Sequence, residues 1–186
     1  MPVQNKAARA ALYGLIGGVA GCVAMDLVSA AWSVGRRGGL PPRDSDLVQQ
    51  GGRPDVEQAK EGAAPVDEVA TIKTAKLAAA AVGQVPLPQK TAKKAGVLVH
   101  YVFGGAAGAT YGLASEYLPL LRLGAGVPFG LAIWGIAVQL ALPRLGLSRP
   151  PSEYSAAGHG FSLAAHAAFG LSLEAARRTL VKKGYA

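Results

Sequence analysis

Four stretches of the chain are long, apolar and nearly free of charged residues. Residues 10–34 contain one charged side chain, that of Asp26, whereas residues 95–115 and 123–142 contain none and residues 155–176 contain one near their end. A helix needs about 20 mostly apolar residues to cross the hydrocarbon core of a bilayer. In lipid, its backbone polar groups must pair within the segment. The pattern therefore predicts an all-α integral membrane protein, a four-helix bundle with spans at these four positions.

Two alternatives apply to these runs. Alanine and glycine count as apolar without being strongly lipophilic, so a soluble helical bundle is one alternative, although four runs of bilayer length favour a membrane protein. The first run also resembles a cleaved signal peptide, since Lys6 and Arg9 precede it and Val28-Ser29-Ala30 resembles a cleavage site. The length of the run, and Asp26 just before that site, favour a retained helix.

Residues 35–94 form a polar insert within a single membrane domain over residues 1–186, and they hold 17 of the 30 Lys, Arg, Asp and Glu residues. The first part is rich in Gly-Gly and Pro-Pro pairs, which are typical of loops. From about 67 to 82, apolar residues recur at helical spacing behind the acidic pair Asp67-Glu68. We expect an amphipathic helix there that lies on the membrane surface or packs on the mouth of the bundle.

The composition restricts the chemistry that is open to this chain. A single cysteine, Cys22, excludes an internal disulfide framework and a cysteine zinc cluster. The net charge of +8 is explained by flanks beside anionic lipid headgroups, because no basic and aromatic surface for nucleic-acid bases is visible. The glycine-rich stretch 14–21 follows no predicted strand. A dinucleotide-binding loop requires a preceding strand, so such a site is not predicted here. The sequence predicts no enzymatic activity, no cofactor, no metal site and no nucleic-acid partner.

Glycine is frequent, with 25 of 186 residues. Many glycines recur four positions apart in the predicted spans, and this spacing lets another helix backbone approach closely. We expect nine of them to form helix-packing surfaces: Gly14, Gly17, Gly18, Gly21, Gly104, Gly108, Gly112, Gly126 and Gly130.

The second half of the chain also echoes the first. Residues 166–170 (His-Ala-Ala-Phe-Gly) match residues 100–104 (His-Tyr-Val-Phe-Gly), and residues 129–131 resemble residues 13–15. A 2+2 hairpin repeat, similar on a small scale to the repeats of many transporters, is one explanation. Chance matching in a chain rich in glycine and alanine is the other.

Ionisable groups at membrane depth are costly and are therefore candidates for function. In the structural interpretation, the histidines form hydrogen bonds between helices and Glu174 pairs with Arg178 at i,i+4. In the functional interpretation these groups line a path for protons or a solute, since histidine changes charge near neutral pH. Haem or metal ligation by the histidines is a third interpretation. The candidate polar intramembrane residues are Asp26, His100, Glu116, His159, His166 and Glu174.

Several motifs, in this order and spacing, resemble the YagU-like inner-membrane proteins, a bacterial family of largely unknown function. The motifs are Leu40-Pro41-Pro42-Arg43, then His100, Tyr111, Glu116 and Pro119, then Pro143-Arg144-Leu145-Gly146-Leu147 with Pro150-Pro151, and finally His166, Glu174, Arg177 and Arg178. The resemblance covers about three quarters of the chain and is weakest in the insert. It implies a multi-pass inner-membrane protein with a link to acid stress, and it brings no established catalytic site.

The sequence therefore predicts a bacterial inner-membrane protein without catalytic activity, an accessory or stress-related component that forms a homo-oligomer or joins a larger membrane complex. One alternative is a small channel or carrier for protons or a small solute, lined by Asp26 and the histidines. Another is a haem- or metal-binding membrane subunit. Basic residues directly after the last predicted span favour both termini in the cytoplasm.

Overall fold

The structure is a computed structural model that describes residues 2–35, 70–81, 83 and 87–183. Of the residues described, 91% are helical and none lies in a strand, in agreement with the all-α prediction. The loop that contains Leu40-Pro41-Pro42-Arg43 lies outside the described residues. The α-helices are α1 (Pro2–Gly35), α2 (Ala70–Ala81), α3 (Gln89–Tyr117), α4 (Val127–Ile133), α5 (Leu142–Arg144) and α6 (Ala156–Lys182).

Three helical segments are long and apolar enough to cross a membrane, which indicates a helical membrane protein. They are Lys6–Val34, Gln89–Tyr117 and Pro119–Arg144, and they contain the first three predicted spans. The fourth predicted span lies largely in α6, which is not one of these segments and is made more polar by His159 and His166. A bundle of four membrane-spanning helices stays a prediction, and so does the hairpin repeat.

The third of these segments is not one regular α-helix. It opens with a 3₁₀ segment, Pro119–Gly126, which contains a turn where Gly124, Ala125 and Gly126 have φ values of 67°, 53° and 82°. Glycine adopts positive φ without steric cost, so two of these three positions suit the turn. A π-helix, Trp134–Ala141, then separates α4 from α5.

The helices divide into two compact units. Unit 1 comprises Met1–Val28, Tyr101–Trp134 and Leu163–Ala186, whereas unit 2 comprises Ser29–His100 and Gly135–Ser162. The single membrane domain over residues 1–186 stays a prediction. The buried core of unit 1 draws on α1, α3 and α6 and consists of Cys22, Met25, Tyr111, Ala165, Phe169 and Leu173.

Unit 2 has a smaller core, built where α2 meets the beginning of α3. Ile72 and Ala92 are buried there, and Leu87 packs against them. Gly96 of α3 leaves room for Ile72, since an added Cβ would lie 2.8 Å from Cγ1 of that side chain. The helix α2 falls within the stretch predicted as helical, and its Ile72 side packs on α3.

Candidate functional site

In unit 1, glycines allow α1 and α3 to approach each other closely. A Cβ built on Gly14 would overlap the carbonyl oxygen of Gly108, and one built on Gly18 would overlap that of Gly104. The obstacle in each case is backbone, which cannot rotate away as a long side chain can. Close backbone approach of this kind is typical of small residues between membrane helices.

The helix α6 is packed against α1 and α4 in a similar way. A Cβ on Gly17 would lie 2.7 Å from the carbonyl oxygen of Leu173, and one on Gly130 would overlap the carbonyl oxygen of His166. The remaining predicted packing glycines also have close neighbours: Gly21 beside Phe169, Gly104 beside Cys22, Gly108 beside Gly14, Gly112 beside Ala10, and Gly126 beside Gly170. That these glycines determine helix packing stays a prediction, which substitution can test.

Glu174 lies at the centre of a buried ion-pair network in unit 1. Its side chain is 1% exposed. Arg177 binds the carboxylate through two nitrogens, with Nε 2.7 Å from Oε2 and Nη2 2.9 Å from Oε1. Arg178 donates from Nε to Oε1 at 2.7 Å, and the hydroxyl of Tyr111 lies 3.0 Å from Oε2. Four donor atoms therefore occupy an acceptor with about four lone-pair sites.

Local and long-range structure both contribute to this network. Arg177 and Arg178 follow Glu174 by three and four positions on α6, and residues at this spacing are neighbours on a helix surface. Tyr111 comes from α3, 63 positions earlier in the chain. Its ring lies 4.8 Å from the ring of Phe129, centroid to centroid.

A second carboxylate, that of Glu116 at the end of α3, contacts basic side chains from three other parts of unit 1. Its Oε1 accepts a hydrogen bond from Nη2 of Arg122 at 2.9 Å and lies 3.9 Å from Nη1 of Arg177. Nζ of Lys6 lies 3.4 Å from Oε2. Arg177 thus contacts both carboxylates and joins the two groups into one cluster.

The environment of Arg177 keeps the cluster ionic. Hydrogen bonds to the Glu174 carboxylate raise the pKa of Arg177 above its ordinary value, so the guanidinium stays protonated at any physiological pH. A buried charge is tolerated only when it is paired and hydrogen-bonded. The pairing with Glu174 meets that condition for Arg177, whose side chain is 6% exposed.

Asp26 lies within the first apolar segment and contacts α3. The hydroxyl of Tyr101 donates a hydrogen bond to its Oδ2 at 2.7 Å, and the site is partly buried. Cys22, one turn earlier on α1, is buried in the core of unit 1. The hydrogen bond from Tyr101 compensates in part for placing a carboxylate within an apolar segment.

His159 has a partner at each ring nitrogen in unit 2. Nε2 lies 2.9 Å from the carbonyl oxygen of Pro151, and Nδ1 lies 3.2 Å from Nε2 of Gln139. A carbonyl oxygen can only accept, so the contacts favour a proton on Nε2 of the ring and a hydrogen bond from the Gln139 amide to Nδ1. Through these contacts, His159 connects the π-helix with the chain before α6.

The other two histidines belong to different units. His166 is 5% exposed and lies in unit 1, whereas His100 is partly buried and lies in unit 2. In the part of the chain that the structure describes, no group of three or more His, Cys, Asp or Glu side chains is placed to hold a metal ion.

Sequence reasoning identified both carboxylates of the cluster and the pairing of Glu174 with Arg178. It did not identify the roles of Tyr111, Arg177 and Arg122 in this cluster. The i,i+3 spacing of Arg177 from Glu174 is a signal that could have predicted their pair. No local pattern predicts that Tyr111 reaches Glu174, because their contact depends on how α3 packs on α6.

Comparison with known proteins identifies a family. A family model described as protein of unknown function (DUF1440) matches residues 27–175. No curated protein matches the chain, and no solved structure does.

Proposed function

We propose, from the premise that the chain belongs to the DUF1440 family of proteins of unknown function, that it is a multi-pass membrane component without catalytic activity of its own. The observation that carries this proposal is the Glu174 carboxylate, which is buried among donor atoms of Tyr111, Arg177 and Arg178. A general acid or base must come within hydrogen-bond reach of its substrate. The acceptor sites of the Glu174 carboxylate are instead occupied by donors from the same chain. Such a carboxylate is suited to holding helices together rather than to acting on a substrate.

A second polar group supports the same proposal. Both ring nitrogens of His159 have partners within unit 2. His159 was a candidate for chemistry in the sequence, and its hydrogen bonds join the π-helix to the chain before α6.

The proposal also includes a location and a role in the cell. The resemblance to YagU-like proteins supports a location in the bacterial inner membrane and a link to acid stress. The basic residues directly after the last predicted span favour both termini in the cytoplasm. Large apolar side chains on the apolar segments are exposed, among them Leu27 at 66% and Val102 at 61%. Such side chains fit contact with lipid or with another membrane protein, in a homo-oligomer or a larger complex.

Purification at native expression level tests the accessory role. The protein would be tagged at its chromosomal locus, extracted in a mild detergent or directly into polymer nanodiscs, and analysed on native gels with in-cell cross-linking. We expect a particle that contains further copies of the chain or further polypeptides. A lone chain under both extraction conditions would contradict the proposal.

Survival of a deletion strain tests the stress role. We expect fewer survivors than wild type after exposure to acidic medium, with recovery when the gene is restored. Equal survival of the two strains would contradict the link to acid stress. The accessory role would still be tested by the purification experiment.

Asp26 favours a second candidate, a small channel or carrier for protons or a small solute. It is an ionisable group at membrane depth, only partly buried and hydrogen-bonded by a tyrosine hydroxyl, and groups of this kind often mark transport paths. The contribution of His100 and His166 to such a path belongs to the same candidate.

Liposomes that contain a pH-sensitive dye separate the two candidates. A channel or carrier would dissipate an imposed pH gradient faster than empty liposomes, and the rate would fall in the Asp26→Asn, His100→Ala and His166→Ala variants. The exposed Glu153→Gln variant, outside the three apolar segments, is the matched control. A wild-type leak equal to that of empty liposomes supports the non-transporting component.

A further inference from the structure

Among the residues that the structure describes, the charged cluster of unit 1 has more cations than its carboxylates can neutralise. Four cations, Lys6, Arg122, Arg177 and Arg178, surround two carboxylates, Glu116 and Glu174. The helix ends that carry the cluster add three more basic side chains, which are exposed: Arg9, Lys182 and Lys183.

The two signs of charge are separated by depth in the cluster. The Glu174 side chain is 1% exposed and that of Glu116 is 21% exposed, whereas the side chains of Lys6, Arg178 and Arg122 are 73%, 49% and 35% exposed. Arg177, at 6%, is the one cation of the four that is itself buried. The outer surface of the cluster is therefore positive.

This surface lies at the ends of the apolar segments. One segment begins at Lys6, a second ends at Tyr117 directly after Glu116, and a third begins at Pro119. The ends of membrane spans lie at headgroup level, where basic residues meet lipid phosphate. The guanidinium of Arg178 also donates from Nη2 to the backbone carbonyl oxygen of Arg122 at 3.2 Å, so the Arg178 side chain reaches the residue that carries the second guanidinium.

Apolar side chains stand next to the same cations in the chain. Leu118, Leu120 and Leu123 are 59%, 78% and 65% exposed, and Tyr117 is 70% exposed. A soluble phosphate makes no contact with apolar side chains, whereas a phospholipid has acyl chains that can pack on them while its headgroup contacts the cations. The combination indicates an amphiphile.

We propose that Lys6, Arg122 and Arg178 bind the phosphate of an anionic phospholipid headgroup. The guanidinium groups of Arg122 and Arg178 suit phosphate oxygens because their fixed N–H donors match that geometry. The exposed leucines beside Arg122 receive the acyl chains. The Glu174–Arg177 pair is buried below this surface and does not contact the lipid. Its role is to hold Arg178 in position through the shared Glu174 carboxylate.

Native mass spectrometry of the full-length protein in detergent tests this site. The protein is titrated with phosphatidylglycerol or phosphatidylcholine, and the fraction that retains lipid is measured. We expect at least a fivefold preference for phosphatidylglycerol in wild type and loss of that preference in the Lys6→Gln/Arg122→Gln variant. The Lys90→Gln/Arg144→Gln variant removes two exposed cations of unit 2 and should keep the preference.

Further arms separate the alternatives. Equal loss of preference in both double variants means that net charge alone governs retention, and it overturns the proposal. Equal thermal protection of wild type by inorganic phosphate and by phosphatidylglycerol means that the ligand is a soluble anion, which also overturns it. If the Lys6→Gln/Arg122→Gln variant fails to fold, the test uses Arg178→Gln, which leaves Glu174 paired with Arg177. Retention of the preference in either folded cluster variant overturns the site.

Discussion

At the scale of single residues, the two carboxylates of unit 1 differ mainly in burial. Glu174 is 1% exposed and Glu116 is 21% exposed, yet both contact Arg177. Breaking a buried pair leaves an uncompensated charge in a poorly solvated site, whereas an exposed charge can return to water. The energetic importance of an ion pair in this protein therefore depends on its depth rather than on its length.

Replacing Glu174 by glutamine should destabilise the protein by about 3–5 kcal/mol, because Arg177 would remain buried without its counter-charge. The Glu116→Gln variant should lose about 0–1 kcal/mol, since that pair is partly exposed. Denaturant unfolding of the detergent-solubilised protein, followed by circular dichroism, measures both. Equal losses would show that Glu174 is not the centre of the network.

The hydroxyl of Tyr111 allows a narrower test of the same network. The Tyr111→Phe variant keeps the ring against Phe129 but removes the hydroxyl. That hydroxyl lies 3.0 Å from Oε2 of Glu174 and 3.2 Å from the carbonyl oxygen of Leu121. A hydrogen bond to a charged group contributes about 1.5–3 kcal/mol. We expect a loss of that size in the same unfolding experiment. Tyr117→Phe, at a residue that is 70% exposed, is the control and should behave as wild type. A Tyr111→Phe protein as stable as wild type would exclude this hydrogen bond as a source of stability.

At the scale of elements, the glycines of α3 do not all have the same surroundings. An added Cβ at Gly108 would overlap the backbone of α1, whereas one at Gly105 would lie 3.7 Å from the nearest atom of Leu15, an ordinary contact. In the sequence, Gly108 belongs to the series of glycines four positions apart, whereas Gly105 lies outside that series. Which of them needs to be glycine depends on the face of α3 that meets α1.

The Gly108→Ala variant should therefore be destabilised by about 1–3 kcal/mol, because overpacking at a backbone contact must move a helix. Gly105→Ala should be neutral or stabilising by up to about 1 kcal/mol, since alanine favours helix over glycine. Thermal unfolding of both variants in the same detergent provides the comparison. A Gly105→Ala protein that is the less stable of the two would contradict the packing of α1 on α3.

At the scale of the whole molecule, the question is whether α6 crosses the membrane. Three segments meet the length and hydropathy of a span and α6 does not. The polar residues that lower its hydropathy include His166, Glu174 and Arg177, and these three are buried in unit 1. A helix whose polar side chains face protein does not expose them to lipid, so its mean hydropathy understates its ability to span.

Reporter fusions decide between three and four spans. With α6 in the membrane, fusions after Gly146 and after Lys183 report opposite compartments. We expect alkaline phosphatase to be active after Gly146 and inactive after Lys183, and a green fluorescent protein fusion at Lys183 to fluoresce. The same compartment at both positions would mean that α6 does not cross, and the four-span prediction would be wrong.

Much of the helical architecture could be predicted from the sequence, since long apolar runs leave a chain in lipid no alternative to helix. The apolar run over 123–142 carried no signal for the π-helix Trp134–Ala141, because backbone hydrogen-bond register depends on neighbouring packing. The six candidate polar residues were chosen for their chemistry and position. Their partners Tyr101, Tyr111 and Gln139 were not predicted, because each contact joins distant parts of the chain.

By itself, the sequence determined that this protein is helical, where its apolar segments lie, and that Arg178 can reach Glu174 one turn away, since these properties depend on composition and local period. Only the tertiary structure decided that Tyr111 completes the Glu174 site and that Gly108 faces Gly14. The physical reason is that a helix presents several faces of similar composition. The choice among them follows from shape and charge in the neighbouring helix, and the helix's own sequence contains neither.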